Sequence, residues 1–187
     1  MPFELSDLLA RRSVSPRRLV EPGPDPQQII DLIEVAAAAP DHRRLQPWRF
    51  ISVHKASRER LADLFEAAAR ELHGSLDKDG LIRAREKAAN GACLIAVIAK
   101  IRPDVPDVPV HEQWVSVGAA VQNILLGAMS LGYGAMIVSG DKVGMRSLRD
   151  GLGLSSQETL LGFIAIGTPK VSAKLKMRPN PGDILSW

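Results

Sequence analysis

Ala92 to Ala99 run without a single polar side chain between Gly91 and Lys100. A strand that faced water on one side would alternate polar and apolar residues, and this stretch does not. It reads as a strand buried on both faces. The rest of the chain must therefore supply cover for both of them. With 187 residues, 45% of them hydrophobic, it has the material to do so.

The helical candidates are easy to place. Phe3 to Ala10 reads as a short helix started at Glu4 or Ser6, with Leu5, Leu8 and Leu9 on one face. Asp25, Pro26 and Gln28 form a start signal: an N-cap, a proline at the first helical position and a capping-box partner. The helix that follows carries Ile29, Ile30, Leu32, Ile33, Val35 and Ala36 on more than one face, a pattern that suits burial between two protomers, and Pro40 closes it. Ser57 caps a helix to about Leu72. A polar break from Gly74 to Gly80 precedes a second amphipathic helix to Asn90. Glu112 to Leu131 is the longest helical segment, and its Gly118, Ala119, Ala120 and Gly127 permit close approach of another backbone. Gly144 to Leu152 is a short helix.

Strands are expected at Trp48–Val53, Ala135–Val138 and Leu160–Ile166. Ser155 and Glu158 match a capping box, but strand-like sequence follows them. Pro16 and Pro22-Gly23-Pro24 argue against regular structure between the first two helices. Strands separated by helices, after an all-helical start, indicate an α+β fold, in one domain over residues 1–187.

Whole classes of function are excluded or disfavoured. His42, His54, His73 and His111 lack metal-ligand spacing, and one cysteine cannot make a zinc site. Gly132-Tyr133-Gly134 has no third glycine at Ile137, so the dinucleotide fingerprint is missing. Aromatic residues make up 4% of the chain, too few for base stacking along a basic face, so no nucleic-acid partner is expected. No apolar run reaches the ~20 residues of a membrane-spanning helix. Without a basic leader ahead of an apolar segment, a cytoplasmic location is the expectation. Cys93, inside the apolar run, reads as a buried, inert thiol. The net charge of +3 is mild and favours anionic ligands in a general way.

Two places carry chemistry. Arg11-Arg12-Ser13 ends the first helix, and two guanidiniums beside a hydroxyl can hold a phosphate dianion. Taken alone, the triplet is better explained by a solvated basic helix end. Pro40-Asp41-His42-Arg43-Arg44 leads into Leu45-Gln46-Pro47-Trp48, and Met136-Ile137-Val138-Ser139-Gly140 follows the small-residue helix. Lys174, Lys176 and Arg178 are spaced two apart after Gly167-Thr168-Pro169, so an extended backbone would place them on one side.

The order and spacing of these pieces resemble the nitroreductase family over nearly the whole chain, and the His-Arg turn resembles its smaller, YdjA-like branch. The resemblance implies a central, mainly antiparallel sheet flanked by helices in a homodimer, with FMN at the subunit interface. By the same match, Arg11, Arg12 and Ser13 hold the phosphate side, with Lys176 and Arg178 as a C-terminal basic pair. Ala38, His42 and Gln46 belong to the turn that reaches the partner subunit's flavin, and Ile137, Val138 and Ser139 lie against the ring. Family members often carry a basic residue where this chain has Ser15. Arg12 and Arg43 are the available replacements for stabilising the reduced, anionic flavin.

The implied activity is FMN-dependent oxidation of NADH or NADPH with ping-pong transfer to a nitroaromatic, quinone or similar small-molecule acceptor, the flavin doing the redox chemistry and no side chain acting as catalyst. A relative that cleaves carbon–halogen bonds or fragments flavin fits the same residues, as does a flavin-binding sensor or storage module without turnover.

Overall fold

The computed structural model describes residues 4–171 and 177–186. Lys174 and Lys176 lie outside these. Among the described residues, six α-helices and five strands follow in the order α1 (Leu5–Ala10), β1 (Leu19–Val20), α2 (Pro26–Ala37), β2 (Trp48–Val53), α3 (Arg58–His73), α4 (Lys78–Arg85), β3 (Cys93–Ala99), α5 (Val110–Ser130), β4 (Gly134–Val138), α6 (Arg146–Gly151) and β5 (Thr159–Pro169).

β5 is the hub of the sheet. It pairs with β3, with β4 and, at its C-terminal end, with β1, while β2 pairs with β3. All these pairings are antiparallel. Every residue of β3 is buried, as its unbroken apolar sequence requires. The pleat sends alternate side chains to opposite faces. Ile95 and Val97, with Ile164 and Ile166 of β5, meet Leu32 and Ala36 of α2 and Val117, Ala120 and Ile124 of α5. On the other face Leu94, Ala96 and Ile98, with Phe163 and Ala165, meet Leu61, Phe65 and Ala68 of α3 and Leu148 of α6. Two cores thus share one sheet, and the arrangement is α+β with helices on both faces.

Local signals explain most boundaries. Asp25 accepts the Gln28 amide at 2.8 Å while the Gln28 side chain accepts the Asp25 amide at 3.0 Å, so the capping box of α2 is complete. Gly127 of α5 lets α2 lie close, because a Cβ there would stand 2.9 Å from Leu32 Cδ2. Three expectations need adjusting. Leu19–Val20 forms a short strand between the prolines, because the tail of β5 offers it partners at Pro169 and Thr168. α4 starts at Lys78 instead of after Gly80, capped by Asp77, whose carboxylate accepts the Gly80 amide at 2.7 Å. Ser57 stands at the start of α3 but makes no side-chain cap, since a 3₁₀ turn over Lys55–Ser57 leads directly into the helix. Ser155 and Glu158 shape a turn before β5 and begin no helix.

Candidate functional site

Chain segments distant in sequence meet beside β4. After α1 the chain runs extended, and Ser13 bridges Ala135 in parallel, with the Val14 amide donating to the Ala135 carbonyl at 3.2 Å. This lays the Arg11–Ser15 segment along β4, with Ser15 reaching the cavity that Val138 and Ser139 border. From the other end of the chain, Arg178 Nη2 donates to the Arg11 carbonyl at 2.7 Å. Arg12 folds back on the end of α1, donating to the carbonyls of Leu9 and Arg11.

The electrostatics of this corner are unusual. Burial, and then the charges of Arg178 and Arg12, hold the Arg11 guanidinium below its ordinary pKa. Among the described residues none of Arg11, Arg12 and Arg178 has a carboxylate in ion-pair range. Arg12 Nε is buried with no hydrogen-bond partner. A buried donor left unmatched costs on the order of 1–3 kcal/mol, so three converging cations with an orphaned N–H are what a phosphate dianion would complete.

β4 ends where a cavity of about 760 Å³ opens. That volume lies within the roughly 300–1,000 Å³ of small-molecule and cofactor sites. Val138, Ser139 and Gly140 form one rim, Ser15 and Pro16 another, and the C-terminal end of α3 with α4 makes the far wall. Ser139 Oγ donates to the Leu161 carbonyl at 2.6 Å, which fixes the rim. Gly162 has φ +154°, and a Cβ there would overlap the Val138 carbonyl oxygen, so only glycine lets β5 close on the rim strand. Ile137 points to the opposite core, among the residues packed with α2 and α5, so its side chain is not part of the cavity wall.

A second group stands apart. Ala38 is the C-cap of α2, and His42–Arg44 form a 3₁₀ turn before β2. Arg43, Arg44 and Gln46 all have positive φ, at 58°, 52° and 49°. Each such residue costs on the order of 1–3 kcal/mol and persists only where its surroundings over-determine it. Here they do. Asp41 accepts the Gln46 amide at 2.7 Å, Arg102 Nη2 donates to the Leu45 carbonyl at 2.6 Å, Arg43 pairs with Asp107 at 2.8 Å, and His42 Nδ1 lies 2.7 Å from Glu112 Oε2. Buried Gln113 anchors the supporting loop through the Arg102 amide and carbonyl, both at 2.8 Å. Arg43 is thereby committed to Asp107. The hydrogen bonds of Ala38, His42 and Gln46 run to α2, α5 and their own turn, with none to the Arg11–Ser13 corner. The protomer therefore brings Arg11, Arg12, Ser13 and Arg178 together by the start of β4, leaves Val138 and Ser139 at the cavity rim where β4 ends, and keeps Ala38, His42 and Gln46 elsewhere.

Sequence reasoning missed Gly162 and the α3–α4 wall of the cavity. The glycine in an otherwise apolar strand was the available signal for the first. The wall carries no motif. Cys93 is buried and its thiol is pushed up to about 11, chiefly by burial, as expected for an inert cysteine.

This architecture defines a class: an α+β protein with the nitroreductase-like fold. The crystal structure of a nitroreductase-like family protein from Bacillus cereus superposes with a TM-score of 0.85 at 20% identity, covering 100% of this chain and 97% of that one. A Desulfovibrio desulfuricans protein, described as a "putative nitroreductase in complex with fmn", superposes with a TM-score of 0.74 at 23% identity, covering 98% and 95%. The chain belongs to the nitroreductase family, whose profile matches residues 8–168. Among its relatives, the Escherichia coli (strain K12) "Putative NAD(P)H nitroreductase YdjA" is 30% identical over 181 residues, 96% of each chain. A "Putative NAD(P)H nitroreductase" from Haemophilus influenzae is 32% identical over 164 residues, 88% of each. No helix among the described residues is long and apolar enough to cross a membrane.

Proposed function

We propose that this protein is an FMN-dependent oxidoreductase that takes hydride from NADH or NADPH and delivers electrons to a nitroaromatic, quinone or similar small acceptor. The observation that carries this reading is the cluster of Arg11, Arg12 and Arg178, without a carboxylate among the described residues, on the segment that runs along β4 from Ser13 to the cavity rim at Ser15. The three guanidiniums would hold the phosphate, with Ser13 and, from beyond the described residues, Lys176 adding contacts. Bound FMN would supply the redox chemistry of the site, as a two-electron carrier between donor and acceptor. The protein's part is position and field. Val138 and Ser139 set the edge on which the ring rests, Ile137 anchors that strand in the α2–α5 core, and α3 and α4 wall the cavity from water. Donor and acceptor would dock in turn on the same face, which gives ping-pong kinetics.

The working unit in this proposal is a homodimer. Trp114 and Val115 of α5, with Ile30 and Val35 of α2, are exposed apolar residues that a partner would cover. The strained turn bearing Ala38, His42 and Gln46 would then complete the site of the other protomer. We also propose one domain over the whole chain and a cytoplasmic location.

Purification tests the cofactor: a yellow protein that releases FMN on denaturation is expected, and NADH or NADPH should bleach it in a stopped-flow experiment. A protein that binds FMN but is reduced by neither nucleotide would be a flavin-binding module without turnover. Sedimentation tests the shared site, since a monomer retaining full FMN occupancy contradicts it.

A further inference from the structure

His42 has one ring nitrogen committed and one open. Its Nδ1 lies 2.7 Å from Glu112 Oε2, and among the described residues no hydrogen bond reaches Nε2. An ionised carboxylate only accepts, so Nδ1 carries the hydrogen of this bond. The bond therefore decides how the ring is turned and which nitrogen is left to meet something else.

The other contacts of the turn act differently. Asp41 on the Gln46 amide, Arg102 on the Leu45 carbonyl, and Arg43 on Asp107 and the Pro106 carbonyl fasten the turn to itself or to the loop that carries Arg102 and Asp107. Among the described residues, the hydrogen bond from His42 to Glu112 is the one that runs from the turn to α5. It contributes little stability, since the two side chains are 50% and 41% exposed. What it fixes is the direction of an imidazole. The turn that carries this ring holds three non-glycine residues at positive φ, Arg43, Arg44 and Gln46. Backbone of that kind clusters at ligand clamps and switches. Trp114 and Val115, which follow Glu112 on α5, are exposed, so His42 is tied to the stretch of α5 that the proposed partner would cover.

We propose that Glu112 is a positioning residue for the flavin: through Nδ1 it turns the His42 ring so that Nε2 meets the polar edge of the isoalloxazine held by the other protomer. The inference rests on the oxidoreductase reading for its ligand and on the homodimer for the second protomer. Isoalloxazine has such an edge, where an N–H stands between two carbonyl groups, so it can pair with an imidazole nitrogen that donates or one that accepts. An unrestrained ring would lose rotational freedom on binding, and Glu112 removes that loss in advance. Glu112 itself touches neither flavin nor substrate.

Fluorescence titration of the apoprotein with FMN tests it, with circular dichroism and sedimentation run on each variant. His42→Ala and Glu112→Ala should each weaken FMN binding roughly threefold to tenfold, and the double variant should be no weaker than either, because Glu112 acts only through His42. Glu112→Gln should stay within about twofold of the native chain, since its amide oxygen still accepts from Nδ1. Asp107→Asn, which loosens the same turn without touching the imidazole, should also stay within about twofold. Additive losses, or native affinity in Glu112→Ala, overturn the proposal by cutting Glu112 from His42. An equal loss in Asp107→Asn overturns it by making Glu112 a support for the turn alone. Glu112→Gln as weak as Glu112→Ala overturns it because the charge, and not the hold on the ring, would then matter. A native chain that binds no FMN, or binds it as a monomer, would refute the reading of the site and this proposal together. FMN binding to a dimer that ignores both Glu112 and His42 refutes this proposal alone.

Discussion

Two corners of the molecule use arginine in opposite ways. At the start of β5, Arg49 meets Glu158 through two hydrogen bonds, Nε to Oε1 at 2.5 Å and Nη2 to Oε2 at 3.0 Å. The Glu158 side chain is 9% exposed, and its carboxyl is drawn down to about 2, first by the bond to Arg49. At the end of α1, Arg11, Arg12 and Arg178 crowd together without a carboxylate and with Arg12 Nε unmatched. The first corner is complete within the chain and ties β2 to β5. The second lacks such a partner among the described residues, and its packed like charges and orphaned donor lower stability, a cost that the proposed phosphate would relieve. The contrast is between a charge satisfied within the chain and charges left for the proposed ligand.

The sharpest way to break this contrast is to disable the complete corner. Glu158→Ala leaves a partly buried guanidinium without its partner and should lower unfolding free energy by about 2–3 kcal/mol in urea denaturation, with FMN retention unchanged. A loss of flavin with no loss of stability would show that the corners are not separable. The same pair sets a pH dependence. Its folded carboxyl lies below the ordinary value near 4.5, so its contribution is fully present above that pH and falls away as pH drops toward about 2. Denaturation midpoints should decline over that window in the native chain and decline less in Glu158→Gln.

The incomplete corner should answer in the other direction. Arg11→Ala removes one charge-assisted contact and should weaken FMN binding by about 1.5–3 kcal/mol, read by fluorescence as flavin is released. The apoprotein should be no less stable than the native one, since a like-charge contact is relieved. Unchanged affinity would remove Arg11 from the site. The smallest effect is expected at Arg43 and Asp107, an exposed pair with side chains 50% and 74% accessible. Asp107→Asn should change thermal stability by under about 1 kcal/mol. A larger drop would mean that the pair holds the strained turn itself.

The limits of reading the sequence can be seen at particular residues. The buried β3 strand, the capping box at Asp25 and the long α5 helix rest on local patterns of apolarity and side-chain chemistry, and each stands where those patterns put it. The Arg11-Arg12-Ser13 triplet is different. Its residues are visible in the sequence, yet nothing local distinguishes a phosphate site from a solvated helix end. The Ser13–Ala135 bridge and Arg178 reaching back across the chain are what support the proposed phosphate site over a solvated helix end.

Periodicity, caps and breakers act within a few residues, so the sequence by itself determined the helices, the central strands and the α+β class. Charge and burial act through space. Only the tertiary structure decided which arginines find carboxylates, which stay unpaired, and that Ser15, Ser139 and Lys142 border one cavity. A cation's role depends on its neighbours' distance in ångströms, and chain packing sets that distance independently of separation in sequence.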